Sequence, residues 1–240
     1  NSYPGITNKV LSKYVNKVCV AYDNMERFFP KDKIIFTGNP IRKLILNFKD
    51  KREEGKKIFG VNNGKITILV VGGSLGARTI NESIKESISE FANNDLNLIW
   101  QTGTSFGDVA KNIIEDINID GISSHMFIRE MDLAYAAADI IVSRAGAIAI
   151  SELCFVGKPI LLVPSPNVAE DHQTQNAQSL VNKNSALMVK DVDAKRKLVS
   201  ELISLSRNKD LQAVLSSNIQ KLSVDNAAVI IADLALNLIE

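Results

Sequence analysis

The stretch Ile68-Leu-Val-Val-Gly72-Gly73-Ser74-Leu-Gly76-Ala-Arg-Thr-Ile-Asn-Glu-Ser-Ile84 decides the fold. A run of branched apolar residues breaks at three glycines, and helical patterning follows at once. A buried strand that turns sharply into a helix has this signature. Glycines let the backbone approach an anion closely, and the following helix aims its unpaired N–H groups at the same place. The turn therefore either cradles a phosphate or is a tight connection that holds nothing. A P-loop reading weakens, because Gly76 is followed by Ala77 and Arg78 rather than Lys and Ser or Thr. A dinucleotide fold wants an acid at the end of the next strand. That strand ends Leu98-Ile-Trp-Gln-Thr-Gly103, and the nearby acid, Asp95, precedes it.

Outward from this turn, strand-like and helix-like runs alternate. Strands are expected at 66–71, 97–101, 125–128, 139–143, 159–163 and 186–189. Helices are expected at 77–91, 106–115, 131–138, 147–156 and 173–182, with helical patterning from Asp193 to Glu240. The alternation implies an α/β fold with a Rossmann-like doubly wound parallel sheet. Ligands of such sheets gather at the carboxyl ends of the strands. Short strand-like runs at 17–22 and 33–38 flank a helix-like piece at 25–29. An interdomain linker is expected at Asn39 to Arg42, and the charged run 49–65 reads as a solvated helix.

Two further strand exits carry chemistry. In Ser143-Arg-Ala-Gly-Ala147-Ile-Ala-Ile-Ser-Glu152, a strand turns at Gly146 into a helix that places Glu152 well inside its second turn. A carboxylate accepts two hydroxyl donors, so Glu152 suits a ribose diol; a plain surface glutamate is the alternative. In Glu170-Asp-His-Gln173-Thr-Gln-Asn176-Ala, carboxylates and amides suit sugar hydroxyls, or Glu170 or Asp171 caps the helix.

Composition bounds the partners. The 240 residues contain 28 Lys and Arg against 27 Asp and Glu, which gives no electrostatic case for nucleic acid. No apolar run approaches the roughly 20 residues that cross a bilayer. Cys19 and Cys154 sit in apolar runs and read as small buried hydrophobes of a reducing compartment. With two histidines they make no zinc site. The Asp191-Val-Asp193 acids precede a helical run, so Asp193 reads as an N-cap and no bound metal is expected. The opening has neither Met nor a signal peptide, so the chain reads as a fragment lacking its upstream part.

The three exit loops together resemble the MurG family of glycosyltransferases, as do the opening Asn1-Ser-Tyr-Pro-Gly-Ile-Thr-Asn-Lys9 and the linker Gly38-Asn-Pro-Ile-Arg42. The resemblance covers essentially the whole chain. It implies a GT-B architecture of two facing Rossmann-like domains, the first largely missing here. Residues 1–41 would be the tail of the amino-terminal acceptor-binding domain, 42–220 the UDP-N-acetylglucosamine-binding domain, and 221–240 a helix returning toward the first domain.

It implies an inverting transfer of N-acetylglucosamine from UDP-N-acetylglucosamine to the C4 hydroxyl of a lipid-linked N-acetylmuramyl pentapeptide. The expected setting is the cytoplasmic face of a bacterial inner membrane, with peripheral contact mainly through the missing domain, and no tightly bound cofactor. By motif matching, Arg42 would face the donor phosphates, and Gly73 and Ser74 the diphosphate. Ile128 would pair its backbone with uracil. Ala147, Ile148, Ala149, Ile150, Ser151 and Glu152 would wrap phosphate and ribose, and Gln173 would read sugar hydroxyls. Asn1 would reach the donor from the first domain. Ala149 departs from the threonine that family members often carry. The base belongs to the missing part, so the fragment is expected to bind the donor without transferring it. Alternatives are a UDP-N-acetylglucosamine 2-epimerase-like enzyme and a non-catalytic UDP-sugar-binding domain.

Overall fold

A computed structural model describes residues 1–238. Its centre is a six-stranded, wholly parallel sheet of β3 (Ile66–Val71), β4 (Leu96–Gln101), β5 (Ile122–His125), β6 (Ile140–Ser143), β7 (Ile160–Leu162) and β8 (Leu187–Met188). The order across it is β5-β4-β3-β6-β7-β8. Ranked along the chain, that is the doubly wound order 3-2-1-4-5-6. The winding reverses between β3 and β6. Sheets of this kind bind ligands at the carboxyl ends at that point, and the pairing of Val71 with Ser143 sets the first two glycine-bearing exits side by side there.

Strand periodicity builds the two faces. Ile68 and Val70 of β3 face one core with Leu98, Trp100, Ile140 and Val142, beneath α3 (Arg78–Glu86), α4 (Ile88–Asn93), α5 (Gly107–Ile117), α9 (Ala194–Arg207) and α10 (Lys209–Gln220). Leu69 faces the other core with Ile99, Ile141, Ile160 and Leu162, beneath α2 (Arg52–Phe59), α6 (Met131–Ala137), α7 (Ala147–Val156) and α8 (His172–Val181). A fully buried side chain such as Leu69 contributes roughly 1.5–3 kcal/mol. Both cores are continuous across the sheet, so the exit loops are anchored on both sides.

The opening segment forms α1 (Ile6–Leu11) and a two-stranded parallel pair, β1 (Val18–Val20) and β2 (Ile34–Phe36), with a 3-10 turn at Met25–Arg27 between them. Residues 37–42 run without regular structure into 3-10 turns at Lys43–Asn47 and Lys49–Lys51 and then α2; the linker expected at Asn39 to Arg42 falls in this stretch. Beyond α10 the chain returns to this segment: a Cβ placed on Gly38 would lie 2.7 Å from Cβ of Val224. The last helix, α11, spans Ala227–Leu236. The expected helical patterning of 239–240 lies outside the described residues.

Several expectations need correction. The strand expected at 125–128 is β5, Ile122–His125. Ser123 and Ser124 disguise this half-buried edge strand, and Ile128 lies beyond its end. The helix expected at 77–91 breaks at Ser87 (φ −124°, ψ 24°) into α3 and α4. The charged run is not simply solvated, because α2 buries Gly55 and Phe59. A Cβ on Gly55 would stand 2.3 Å from the Leu133 carbonyl oxygen, so glycine is what lets α2 lie against α6. Cys19 is exposed while Cys154 is buried.

Candidate functional site

The first exit is a rigid cradle. Gly76 takes φ +87°, and a Cβ there would stand 2.3 Å from the Thr102 carbonyl oxygen, so the loop lies directly on the exit of β4. Gly73 also has positive φ (+89°), but its Cβ position is open. Ser74 is exposed, and its carbonyl accepts the Thr104 N–H at 3.2 Å. Beneath the loop, Asn81 donates to the Thr102 carbonyl at 2.8 Å and accepts the Trp100 indole N–H at 3.0 Å.

Gln101, the last residue of β4, is 3% exposed. Its Nε2 donates to the Gly73 carbonyl at 3.3 Å and its Oε1 accepts the Ile128 N–H at 3.0 Å. Ile128 is therefore brought to the first exit, but its N–H is already engaged. Nothing in the local sequence marks Gln101, because its role depends on two loops distant along the chain.

The second exit has two parts. Gly146 precedes α7, whose N-terminus has no side-chain cap, so its first-turn N–H groups are left for an anion. Ala147 and Ala149 are half-buried there, and Ile148 is 51% exposed. Below, Arg144 donates to the Val163 and Pro164 carbonyls at 3.0 and 3.1 Å and pairs with Asp191 at 2.5 Å. Asp191 also accepts the Thr79 hydroxyl at 2.8 Å. One ion pair thus joins the exits of β6 and β7 to α3. Asp191 was read only as part of an acidic pair, and Arg144 was missed; each partner is too distant in sequence to suggest the other.

Arg42 and Glu152 meet across this exit. Arg42 Nε and Nη2 donate to the two Glu152 oxygens, each at 2.7 Å. The Glu152 side chain is 4% exposed and that of Arg42 48%. The Tyr135 hydroxyl stands 3.5 Å from Glu152 Oε2. The hydrogen bonds to Glu152 raise the guanidinium above its usual range, and burial raises the Tyr135 phenol. The neighbouring Asn39 donates to the Ser151 hydroxyl at 3.0 Å, so the linker lies along α7. Ile150 is buried within the core beneath. Glu152 is thus no surface residue.

The third exit closes over the second. Gln173 Oε1 accepts the Ala145 N–H at 3.2 Å and the Ser165 N–H at 2.9 Å. Asn176, fully buried, donates to the Ala145 carbonyl and to Asn1 Oδ1, and accepts from the Ser2 backbone. Asn1 is thereby held beside the second exit. Asp171 does occupy the N-cap of α8, but in a left-handed conformation and without a side-chain cap bond; its carboxylate accepts the Thr174 hydroxyl instead.

The N-cap expected at Asp193 is likewise positional only. Its carboxylate pairs with Arg196 and Lys197, and those partners hold it below the usual range. No group of three or more His, Cys, Asp or Glu among the described residues is arranged to hold a metal. A cavity of about 610 Å³ lies between the opening segment, α7, α8 and residues 221–224. It touches the second exit at Ile150 and Ser151 and includes none of Gly73, Ser74, Gly146 and Ala147.

The sequence pattern of the glycosyltransferase family 28 C-terminal domain matches residues 67–231. Over 240 residues the chain is 48% identical to the UDP-N-acetylglucosamine--N-acetylmuramyl-(pentapeptide) pyrophosphoryl-undecaprenol N-acetylglucosamine transferase of Parabacteroides distasonis. That alignment covers 100% of this chain and 65% of the relative. The crystal structure of Acinetobacter baumannii MurG superposes with a TM-score of 0.77 at 28% identity, over 98% of this chain and 64% of that one. UDP-GlcNAc 2-epimerase from Neisseria meningitidis superposes with a TM-score of 0.61 at 16% identity, over 95% of this chain and 63% of that one, a likeness of fold alone.

Proposed function

We infer the function from one premise: the chain belongs to glycosyltransferase family 28, through the carboxyl-terminal domain of that family. The reading is that residues 42–220 bind UDP-N-acetylglucosamine. Residues 1–41 are then the tail of an acceptor-binding domain, and 221–240 return toward it. The whole protein transfers N-acetylglucosamine, with inversion, to the C4 hydroxyl of a lipid-linked N-acetylmuramyl pentapeptide. The observation that carries this reading is the pairing of two anion-ready exits at the switch point, with the Arg42–Glu152 pair beside them.

In this reading the first-turn N–H groups of α7, at Ala147, Ile148 and Ala149, stabilise charge that develops on the leaving UDP. Arg42 adds its charge once it leaves Glu152, whose carboxylate then takes the ribose diol. Ser74 and Gly73 hold the diphosphate. Gln173 has its oxygen occupied and offers its Nε2 to the sugar. Asn1 approaches from the first segment. Catalysis needs no metal, because the helix terminus and Arg42 supply the positive end.

The chain spans 65% of the length of its Parabacteroides relative. These 240 residues supply the donor half, bind UDP and do not transfer sugar by themselves. The protein's place is the cytoplasmic face of the bacterial inner membrane, attached peripherally; no helix among the described residues is long and apolar enough to cross a membrane. Incubation with UDP-N-acetylglucosamine alone, then with a lipid-linked acceptor, tests the reading. Conversion of the donor alone makes the chain an epimerase. Turnover with acceptor overturns donor binding without transfer. Absence of UDP binding at millimolar concentration overturns the donor site.

A further inference from the structure

We propose that Gln101 is a positioning residue that sets phosphate recognition and base recognition together, an inference that rests on the donor-site reading. Its amide holds two peptide units from separate loops: the Gly73 carbonyl through Nε2 at 3.3 Å, and the Ile128 N–H through Oε1 at 3.0 Å. It is 3% exposed, so neither bond has water as a ready substitute.

The planar trans peptide determines what this does. The C=O and N–H of one peptide unit point in opposite directions. The Gly73 carbonyl accepts the Gln101 amide and, across the turn, the Gly76 N–H at 3.2 Å, so the Ser74 N–H of the same unit points away from Gln101, at an exposed residue of the first exit. Gly73 permits this orientation, since φ is +89° and the space about it is open. With the Ile128 N–H drawn inward, the Phe127 carbonyl points away from Gln101, at a residue 52% exposed. One buried amide therefore aims a donor at the diphosphate loop and an acceptor at the base side. Uracil carries an N3–H that an acceptor suits. Cytosine presents a lone pair at the same position, so the two bases differ in charge pattern but hardly in size.

Two variants separate the ends of the amide. In Gln101→Glu, a carboxylate still accepts the Ile128 N–H but repels the Gly73 carbonyl. In Gln101→Leu, both bonds go. Calorimetric titration of the protein with UDP, UMP and CDP gives two ratios, UDP over UMP and UDP over CDP. Gln101→Glu is expected to cut the first ratio by about tenfold and keep the second, and Gln101→Leu to cut both. Ratios equal to wild type in both folded variants, with or without a lower Tm, overturn the proposal and leave Gln101 a packing residue. Loss of both ratios in Gln101→Glu overturns the division of labour. Wild-type protein that binds no UDP overturns the donor-site reading itself, and this inference with it.

Discussion

Arg42 and Glu152 face each other in a two-pronged ion pair, both contacts at 2.7 Å, with the carboxylate buried and the guanidinium half in water. In the proposed function both residues contact the donor. The pair occupies each with the other, so the donor must exchange the partners: Glu152 for ribose, Arg42 for phosphate.

The asymmetry of burial predicts unequal costs. Arg42→Ala leaves a buried carboxylate without its cation, a loss of roughly 3–5 kcal/mol. Glu152→Ala leaves a guanidinium that swings into water, at about 1–2 kcal/mol, despite the gain in helix propensity. Urea denaturation of both variants checks the order. Equal losses contradict the burial argument.

The two positive-φ glycines of the first exit are predicted to differ. Gly76→Ala drives a Cβ to 2.3 Å from the Thr102 carbonyl oxygen, so the loop has to shift; Tm and UDP affinity both fall. Gly73→Ala meets open space and bears only left-handed strain, about 1–2 kcal/mol. Its Tm is expected to exceed that of Gly76→Ala. The reverse order, read by thermal melts, rules out the close approach.

Ala149→Thr restores the hydroxyl that the family resemblance leads one to expect on the first turn of α7. UDP affinity is predicted to rise by up to about tenfold, the worth of one hydrogen bond. Affinity that stays level in a competition assay means that the backbone N–H groups already saturate the phosphate.

Burial lowers the His125 imidazole below its ordinary 6.5. The unfolded chain then binds more protons than the folded one below that pH. His125 therefore contributes full stability above about pH 6.5, which declines as pH falls toward the folded value. His125→Phe is expected to flatten the stability–pH curve below pH 6.5. An unchanged slope in denaturation at stepped pH contradicts this.

The sequence was informative where the structure is local. The β-branched run into Gly72 marked β3 and its exit, and Ser143 to Glu152 marked β6 and α7, because strand, turn and helix signals adjoin there. It was silent where the fold joins distant residues. Glu152 looked as much like a surface residue as a ligand until Arg42, 110 positions earlier, closed on it. Gln101 and the Arg144–Asp191–Thr79 link gave no local sign. Ser123 and Ser124 hid β5, since an edge strand does not need apolar residues at every position. Cys19 lies in an apolar run on a three-residue strand, where alternation turns it outward.

Base preference follows from the same exits. UDP is predicted to displace UDP-N-acetylglucosamine far better than ADP does, because the donor-site reading sets the Phe127 carbonyl toward the N3–H of uracil, a group that adenine lacks. Equal displacement by the two nucleotides contradicts it.

The ribose contact separates a donor-binding Glu152 from a purely structural one. Calorimetry of wild type and Glu152→Ala, each with UDP and with 2′,3′-dideoxy-UDP, isolates the diol. Charge-assisted bonds are worth about 1.5–3 kcal/mol each, so Glu152→Ala is expected to weaken UDP binding by roughly tenfold to several hundredfold. Wild type is predicted to lose affinity for the dideoxy analogue while Glu152→Ala does not discriminate. If both proteins discriminate equally, Glu152 does not hold the ribose, and its pair with Arg42 is structural only.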